Sequence, residues 1–407
     1  MTSRIYYTDP YCRGFEASVT KAFVHDDRPA ALLDRSAFYP TSGGQPFDTG
    51  KLFEVGRASA IEVIETIDFD DDVVHILSAP AAEGTMVRAE IDWTRRFDHM
   101  QQHTGQHILS AAFDRLFENR TVSFHMGSDA STIDLQREAS WEQIARAEGE
   151  ANRIVSENCE VAIRFVTSEH AAALPLRKEP AREGTLRLIE VKDFDLSACG
   201  GTHVSRTGAI GSLVVTAAEK FKGGTRVTFA CGSRAIRAFQ SLRDAVAGSV
   251  RLLSVLPREL PAAIERMQAE TKDLRRTLRR FQEALASHEA ARLIGASEIG
   301  SGAALIIVEA LDGWDTTGLK TIATHIAAQA NAVVALFSTE SSYPVVIARS
   351  PGMSVDATAV VNELRTRFGG RGGGKADLAQ GGGFGGNLSE ILRVTRQLLA
   401  NGPLSLS

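Results

Sequence analysis

Between Ala17 and Ile91 apolar and polar positions alternate in short runs, and from Thr94 the apolar positions recur every three or four residues instead. Side chains alternate across a strand and return every 3.6 residues around a helix, so this change of period marks a change from strands to helix. Six runs predict strands: Ala17 to Val24, Ala30 to Leu33, Lys51 to Val55, Ile61 to Thr66, Val73 to Leu77 and Met86 to Ile91. The strongest break between them is the turn-rich Tyr39-Pro-Thr-Ser-Gly-Gly-Gln-Pro46. Residues 1–93 therefore read as a small β-barrel or sandwich.

Phe97, Ile108, Ala111, Ala112 and Leu116 have helical spacing and predict a helix from about Thr94 to Phe117. A second helix around Trp141 to Ser156 follows, with strand-like runs at Val161 to Val166, Thr185 to Val191, Ala209 to Ala217 and Thr225 to Ala230. Residues 94–235 thus form an α+β unit. Ile264, Met267, Thr271, Leu274, Leu278, Phe281, Leu285 and His288 step alternately by three and four, which is a heptad seam. Ile236, Phe239, Leu242, Val246, Val250 and Leu253 offer an antiparallel partner across the break at Leu256-Pro257, so residues 236–300 predict a coiled-coil hairpin or a dimer coil. Residues 301–407 open on the apolar run Ala303 to Val308. Helix-like Thr317 to Asn331, strand-like Ala332 to Phe337 and Val345 to Ala348, and a helix from Val355 to Phe368 come next, then a glycine-rich segment and a final helix. That is a separate α/β domain in a chain of α+β class overall.

Composition changes this picture little. At 407 residues the chain exceeds one ordinary core, and 43% hydrophobic with 23% charged residues is the balance of a soluble globular protein. No run of about 18 uninterrupted apolar residues predicts a membrane span, and the first 20 residues lack a signal-peptide core, so a cytoplasmic protein without a membrane partner is expected. Four scattered cysteines do not make a disulfide framework. A net charge of −5 does not advertise a nucleic-acid binder, but phosphate contacts need only a local basic patch.

Candidate chemistry lies in the middle region. Three histidines, His99, His103 and His107, share helical spacing. At about 1.5 Å rise per residue the outer two are about 12 Å apart, so one ion can take either 99 with 103 or 103 with 107. Far downstream, Ser197-Ala-Cys-Gly-Gly-Thr-His203 offers a thiolate and an imidazole on a glycine-freed backbone. Imidazoles with a soft thiolate favour zinc over magnesium or calcium. Four protein ligands would fill a tetrahedron and make a closed structural site, whereas catalytic zinc usually keeps a position open, and spacing alone does not choose.

His103-Thr-Gly-Gln-His107 together with Cys199-Gly-Gly-Thr-His203 resembles the editing domain of alanyl-tRNA synthetases and of free-standing AlaX proteins. Tyr39-Pro-Thr-Ser-Gly-Gly-Gln-Pro-Phe-Asp48 is similar to the glycine-rich element of AlaX proteins, and Gly369-Gly-Arg-Gly-Gly-Gly-Lys375 with the glycines that follow is similar to the DHHA1 domain that closes alanyl-tRNA synthetase. The strands begin within about 20 residues of Met1, so a class II aminoacylation core is not expected in this sequence.

The resemblance implies a long AlaX protein that hydrolyses serine, and in some cases glycine, from mischarged tRNA(Ala). It implies one Zn2+ on His103, His107, Cys199 and His203, with His99 a neighbour. It implies substrate contacts from Thr41, Ser42, Gly43, Gly44, Gln45 and Asp48, and from Ser123 and His125 in the segment after the metal helix, where this chain lacks the glutamine typical of the family. The glycine-rich run with Arg371 and Lys375 lacks the Ser or Thr that follows the Lys of a P-loop, and the resemblance implies RNA binding or dimerisation for it, with Arg371 and Lys375 the expected RNA contacts. A homodimer through the coil and the C-terminal domain is a further expectation. Arg266, Lys272, Arg275, Arg276, Arg279 and Arg280 on the heptad helix could track tRNA phosphates, but Glu265, Glu270, Asp273 and Glu283 are interleaved with them, the pattern of a solvated face.

Overall fold

In the computed structural model, which describes residues 1–54, 59–177, 184–297 and 305–400, the six alternating runs close into a barrel. Its strands are β1 (Gly14–His25), β2 (Arg28–Leu33), β3 (Gly50–Glu54), β4 (Ile61–Phe69), β5 (Asp72–Leu77) and β6 (Met86–Ile91), in the order β1-β2-β5-β4-β3-β6. Closure leaves no free edge, and the inward positions of the alternation, among them Val19, Leu33, Leu52, Ile61 and Val87, make a dry interior. Val55 and Ala303, at the ends of two predicted runs, lie outside the described residues.

Helix α1 (Trp93–Phe117) leaves the barrel directly. Asp92 caps it by accepting from Arg95 N at 3.1 Å, and Glu118 ends it in a left-handed conformation. It is buried on nearly all sides, because two sheets and a helix surround it. One sheet has the order β12-β13-β8-β7, from β7 (Thr121–Met126), β8 (Ser131–Leu135), β12 (Leu213–Phe221) and β13 (Gly224–Cys231). The other joins β9 (Val161–Thr167), β10 (Thr185–Val191) and β11 (Asp195–Ala198), and α2 (Trp141–Glu157) packs on α1 behind a Ser140/Gln143 capping box. The strand predicted from Ala209 begins instead at Leu213. Thr207–Ile210 is a 3-10 turn, and Gly211 at φ 72° turns the chain before pairing starts.

The chain divides into two compact units, Met1–Leu252 and Leu253–Ser407. The barrel and the α1 region fall in the first. The two long helices predicted to form a hairpin, α3 (Gly232–Leu253) and α4 (Leu260–Ala296), fall on different sides of the division. Ile236, Phe239 and Leu242 of α3 are exposed, as are Met267, Leu274, Leu278 and Phe281 of α4. The last turns of α4, through Ala286, Ala290 and Leu293, join a core.

That core belongs to a mixed sheet of order β14-β15-β16-β18-β17, from β14 (Leu305–Leu311), β15 (Ala332–Ser338), β16 (Val345–Arg349), β17 (Arg371–Gly374) and β18 (Leu378–Gly382). Helix α5 (Thr316–Gln329) makes the parallel crossover from β14 to β15, and α6 (Ala357–Phe368) and α7 (Leu388–Ala400) pack with the rest of the sheet. The glycine-rich run is thus strand β17 of a hairpin. A Cβ on Gly372 would lie 2.7 Å from Val361 of α6, and one on Gly374 would lie 2.4 Å from Leu378 O. These glycines let backbone and helix approach, and Arg371 and Lys375 at the ends of the strand are exposed. Among the described residues, no helix is long and apolar enough to cross a membrane.

Candidate metal centre

His103 and His107 stand one turn apart on α1, and the loop after β11 brings Cys199 and His203 over them. Arg187 of β10 shapes that loop by donating Nη1 to the carbonyls of Cys199 (2.6 Å) and Gly201 (2.9 Å), and Nε to Tyr7 O (2.9 Å). Gly201 passes so close that a Cβ there would lie 2.1 Å from His103 Cε1, so this position admits no side chain.

The Cys199 Sγ lies 3.4 Å from His103 Nε2 and 3.3 Å from His203 Nε2, and the four donor atoms are all within 4.8 Å of one another. A tetrahedron with about 2.3 Å metal–sulfur and about 2.0 Å metal–nitrogen bonds has edges of about 3.5 Å, so the donor set fits a zinc ion. The outer nitrogens strengthen the fit. His103 Nδ1 meets Gln45 Oε1 at 2.8 Å, His107 Nδ1 meets Asp195 Oδ2 at 3.2 Å, and His203 Nδ1 meets Thr104 Oγ1 at 3.2 Å. With the outer nitrogens donating, each Nε2 keeps its lone pair for an ion.

These partners are themselves held. Arg177 donates Nε to Asp195 Oδ1 at 2.7 Å and Ser197 Oγ donates to the same carboxylate. Gln45 donates Nε2 to Thr202 Oγ1 at 2.8 Å and accepts from Thr202 N at 3.1 Å, so one side chain from the barrel pins both halves of the site. Thr104 donates to Met100 O, which leaves its oxygen free to accept from His203.

The electrostatics suit a bound cation. Burial opposes the Cys199 thiolate, but the His103 and His203 imidazoles outweigh it and hold the thiol well below its usual range. Burial keeps His203 neutral, down to about 3. Burial pulls the same way on His107, yet hydrogen bonds to Asp195 and Cys199 raise it. Asp195 is driven upward by burial and further down by His107 and Arg177, and ends below the carboxylate range.

His99 stays outside the four donors. It is buried one turn earlier with Nδ1 unpartnered, and burial with the charges of Arg95, Arg234 and Arg96 holds it neutral, down to about 3.

The residues expected at the substrate fall on the turn that carries Gly43 and Gly44, next to the donor cluster, and on β7. Thr41, Ser42 and Gly43 are exposed; Thr41 accepts from Phe47 N, and Ser42 pairs with Gln45 across a tight turn in which Gly43 and Gly44 have φ of 57° and 85°. Gly44 lies against β7, where a Cβ would come within 2.8 Å of Phe124 O. Gln45 is buried behind His103, facing one of the four donors. Asp48 is fully buried and paired with Arg96 of α1, also fully buried, and it accepts from Tyr39 N at 2.7 Å, so it joins barrel to helix and stands away from the cluster.

Ser123 and His125 are exposed on the face of β7 turned from α1. A bulge, at which Thr121 pairs with Leu135 while Ser123 pairs with Asp134, reverses the alternation and leaves Thr121, Phe124 and Met126 toward the helix. The Phe124 ring lies 5.4 Å from that of His103. Sequence reasoning also missed Thr104, Asp195, Arg177 and Arg187. Thr104 and Thr202 sit inside the two motifs, and Asp195 four residues before Cys199, but nothing in spacing alone marks them as supports.

Against known proteins, the chain is 30% identical over 390 residues to the alanyl-tRNA editing protein AlaX-L of Pyrococcus horikoshii, covering 94% of each. The chain belongs to the AlaX-L family of alanyl-tRNA editing proteins. Three domain families match along it: tRNA synthetases class II (A) over residues 15–95, the threonyl and alanyl tRNA synthetase second additional domain over residues 186–228, and the DHHA1 domain over residues 304–401. It is also 34% identical over 395 residues to an alanine–tRNA ligase of Natronomonas pharaonis, covering 94% of this chain and 42% of that protein. The solved C-Ala domain of Aquifex aeolicus alanyl-tRNA synthetase matches 26% of this chain and 97% of its own length at 27% identity and a TM-score of 0.24.

Proposed function

We propose that the chain is a trans-editing hydrolase that cleaves the ester of mischarged tRNA(Ala), with Ser-tRNA(Ala) the main substrate and Gly-tRNA(Ala) a second, at a site holding one Zn2+. The observation that carries this reading is the convergence of His103, His107, Cys199 and His203 with their outer nitrogens fixed, in a chain of this family. Bound there, zinc supplies a Lewis acid that polarises or orients the ester and the terminal ribose. The chain's own residues do the rest. Gln45, Asp195 and Thr104 fix the ligands, Arg187 fixes the Cys199 loop, and the Phe124 ring excludes water beside His103. A pocket sized for alanine cannot strongly reject glycine or serine, so a second hydrolytic site supplies the missing discrimination. Arg371 and Lys375 provide RNA contacts in the C-terminal unit, and the proposed homodimer forms through the coil and the C-terminal domain.

The test is deacylation of seryl-, glycyl- and alanyl-tRNA(Ala) by the zinc-loaded protein. Loss of the mischarged esters with alanyl-tRNA spared, abolished in a folded His107→Ala protein, is the expected result. Four donors also suit a closed structural ion. In that case the three esters are bound without turnover, and chelation unfolds the protein rather than merely silencing it.

A further inference from the structure

We infer that Gln106, anchored by Ser110 and Thr121, reads the side-chain hydroxyl of the esterified amino acid; this rests on the editing reading above. On α1, at about 100° per residue, Gln106 and Ser110 lie about 60° and 20° to one side of His103, and His107 about 40° to the other. The metal-ligand loop covers the His107 side through Thr104 and His203. The opposite flank faces β7, and the bulge there turns Ser123 and His125 away and presents Phe124, which offers no hydrogen bond.

One turn back on that flank His99 is buried with its Nδ1 unpartnered, and from His103 onward the polar side chains there form one chain of three groups. Thr121 donates to Ser110 Oγ at 2.7 Å, and Gln106 Nε2 lies 2.8 Å from the same oxygen. The Gln106 side chain is thereby held in one orientation. It is 7% exposed, and its amide oxygen makes no hydrogen bond to the described residues and is open to solvent. An amide end that is held in place and open to solvent can exchange its water for a substrate hydroxyl without moving. An amide offers a donor or an acceptor, and a hydroxyl answers either, so both orientations of the amide serve equally. Serine presents such a hydroxyl at its β-carbon, and alanine and glycine do not. Gln106 needs no part in bond cleavage for this: it sets which ester stays long enough to be cleaved.

The experiment compares kcat/KM for Ser-tRNA(Ala) and Gly-tRNA(Ala) in the wild type, Gln106→Met and Ser110→Ala, with zinc per chain and Tm measured alongside. Met keeps the length of Gln and removes its polarity. The expected result is a fall of about tenfold in the serine-to-glycine ratio for Gln106→Met, a smaller fall for Ser110→Ala, which only frees the Gln106 side chain, and zinc content unchanged. An unchanged ratio in both variants, or an equal loss on both esters with zinc retained, overturns the assignment and leaves Gln106 a packing residue. If Gln106→Met does not fold, the ratio in Ser110→Ala decides. A wild-type protein that cleaves neither ester overturns the editing reading itself, an outcome distinct from a wild type and variants that discriminate equally.

Discussion

At the scale of residues, the site depends on side chains that never touch the metal position. Gln45 is the clearest case, because its amide oxygen accepts from both His103 Nδ1 and Thr202 N while its nitrogen holds the Thr202 hydroxyl. Removing it leaves His103 free to turn and the Cys199 loop free to drift. Outer partners of metal-bound histidine commonly contribute about 10–100-fold in affinity. Gln45→Ala is therefore expected to weaken zinc by about that factor in a chelator competition, with the fold intact by circular dichroism; zinc affinity equal to wild type would show that the loop and Arg187 suffice. The four-donor cluster was legible because its donors sit in two short motifs, although helical spacing alone left His99 with His103 as open as His103 with His107. The role of Gln45 was not, since a glutamine in a glycine-rich turn reads as a polar handle for substrate, and only the folded turn aims it inward.

At the scale of elements, periodicity delivered the barrel strands, α1 and α2 nearly to the residue, because burial on one face writes itself into the alternation. It failed where one residue breaks the count. Gly211 delayed β12 by a turn, and β7, where a bulge sets Ser123 and His125 on the outer face, was not predicted as a strand at all. The exposed stripes of α3 and α4 show the opposite limit: a heptad pattern states that a face seeks cover, and does not name what covers it.

The barrel itself carries a pH signature. His75 is fully buried between Ser36 Oγ at 2.8 Å and Ala31 O at 3.2 Å, and burial lowers its pKa from 6.5 to about 4. The unfolded chain binds this proton at about pH 6.5 and the native chain only near 4, so stability is complete above 6.5 and falls as pH drops toward 4, by about 3 kcal/mol in all. Denaturant unfolding of wild type and His75→Gln from pH 7 to 4 checks this. The variant is expected to lose that part of the slope, and parallel curves would assign the acid sensitivity to other groups.

At the scale of the molecule, every residue that holds the metal cluster lies in Met1–Leu252, including Gln45, Thr104, Arg177, Arg187 and Asp195. The exposed cations Arg371 and Lys375 lie in the other unit. Metal binding and ester cleavage should therefore separate from RNA affinity. A protein ending at Leu252 is expected to bind one zinc with the affinity of the full chain and to deacylate a short seryl acceptor-stem RNA at a similar rate. On whole tRNA(Ala) its KM should rise. Each phosphate that the protein no longer neutralises takes about one unit from the slope of log affinity against log salt, so the shortened protein should also be less sensitive to salt. Substituting Arg371 and Lys375 together by alanine in the full chain is expected to lower that slope by up to about two units while leaving zinc content unchanged. If the salt slope and KM are the same in all three proteins, RNA affinity resides with the metal unit, and the glycine-rich hairpin serves the packing of α6 alone.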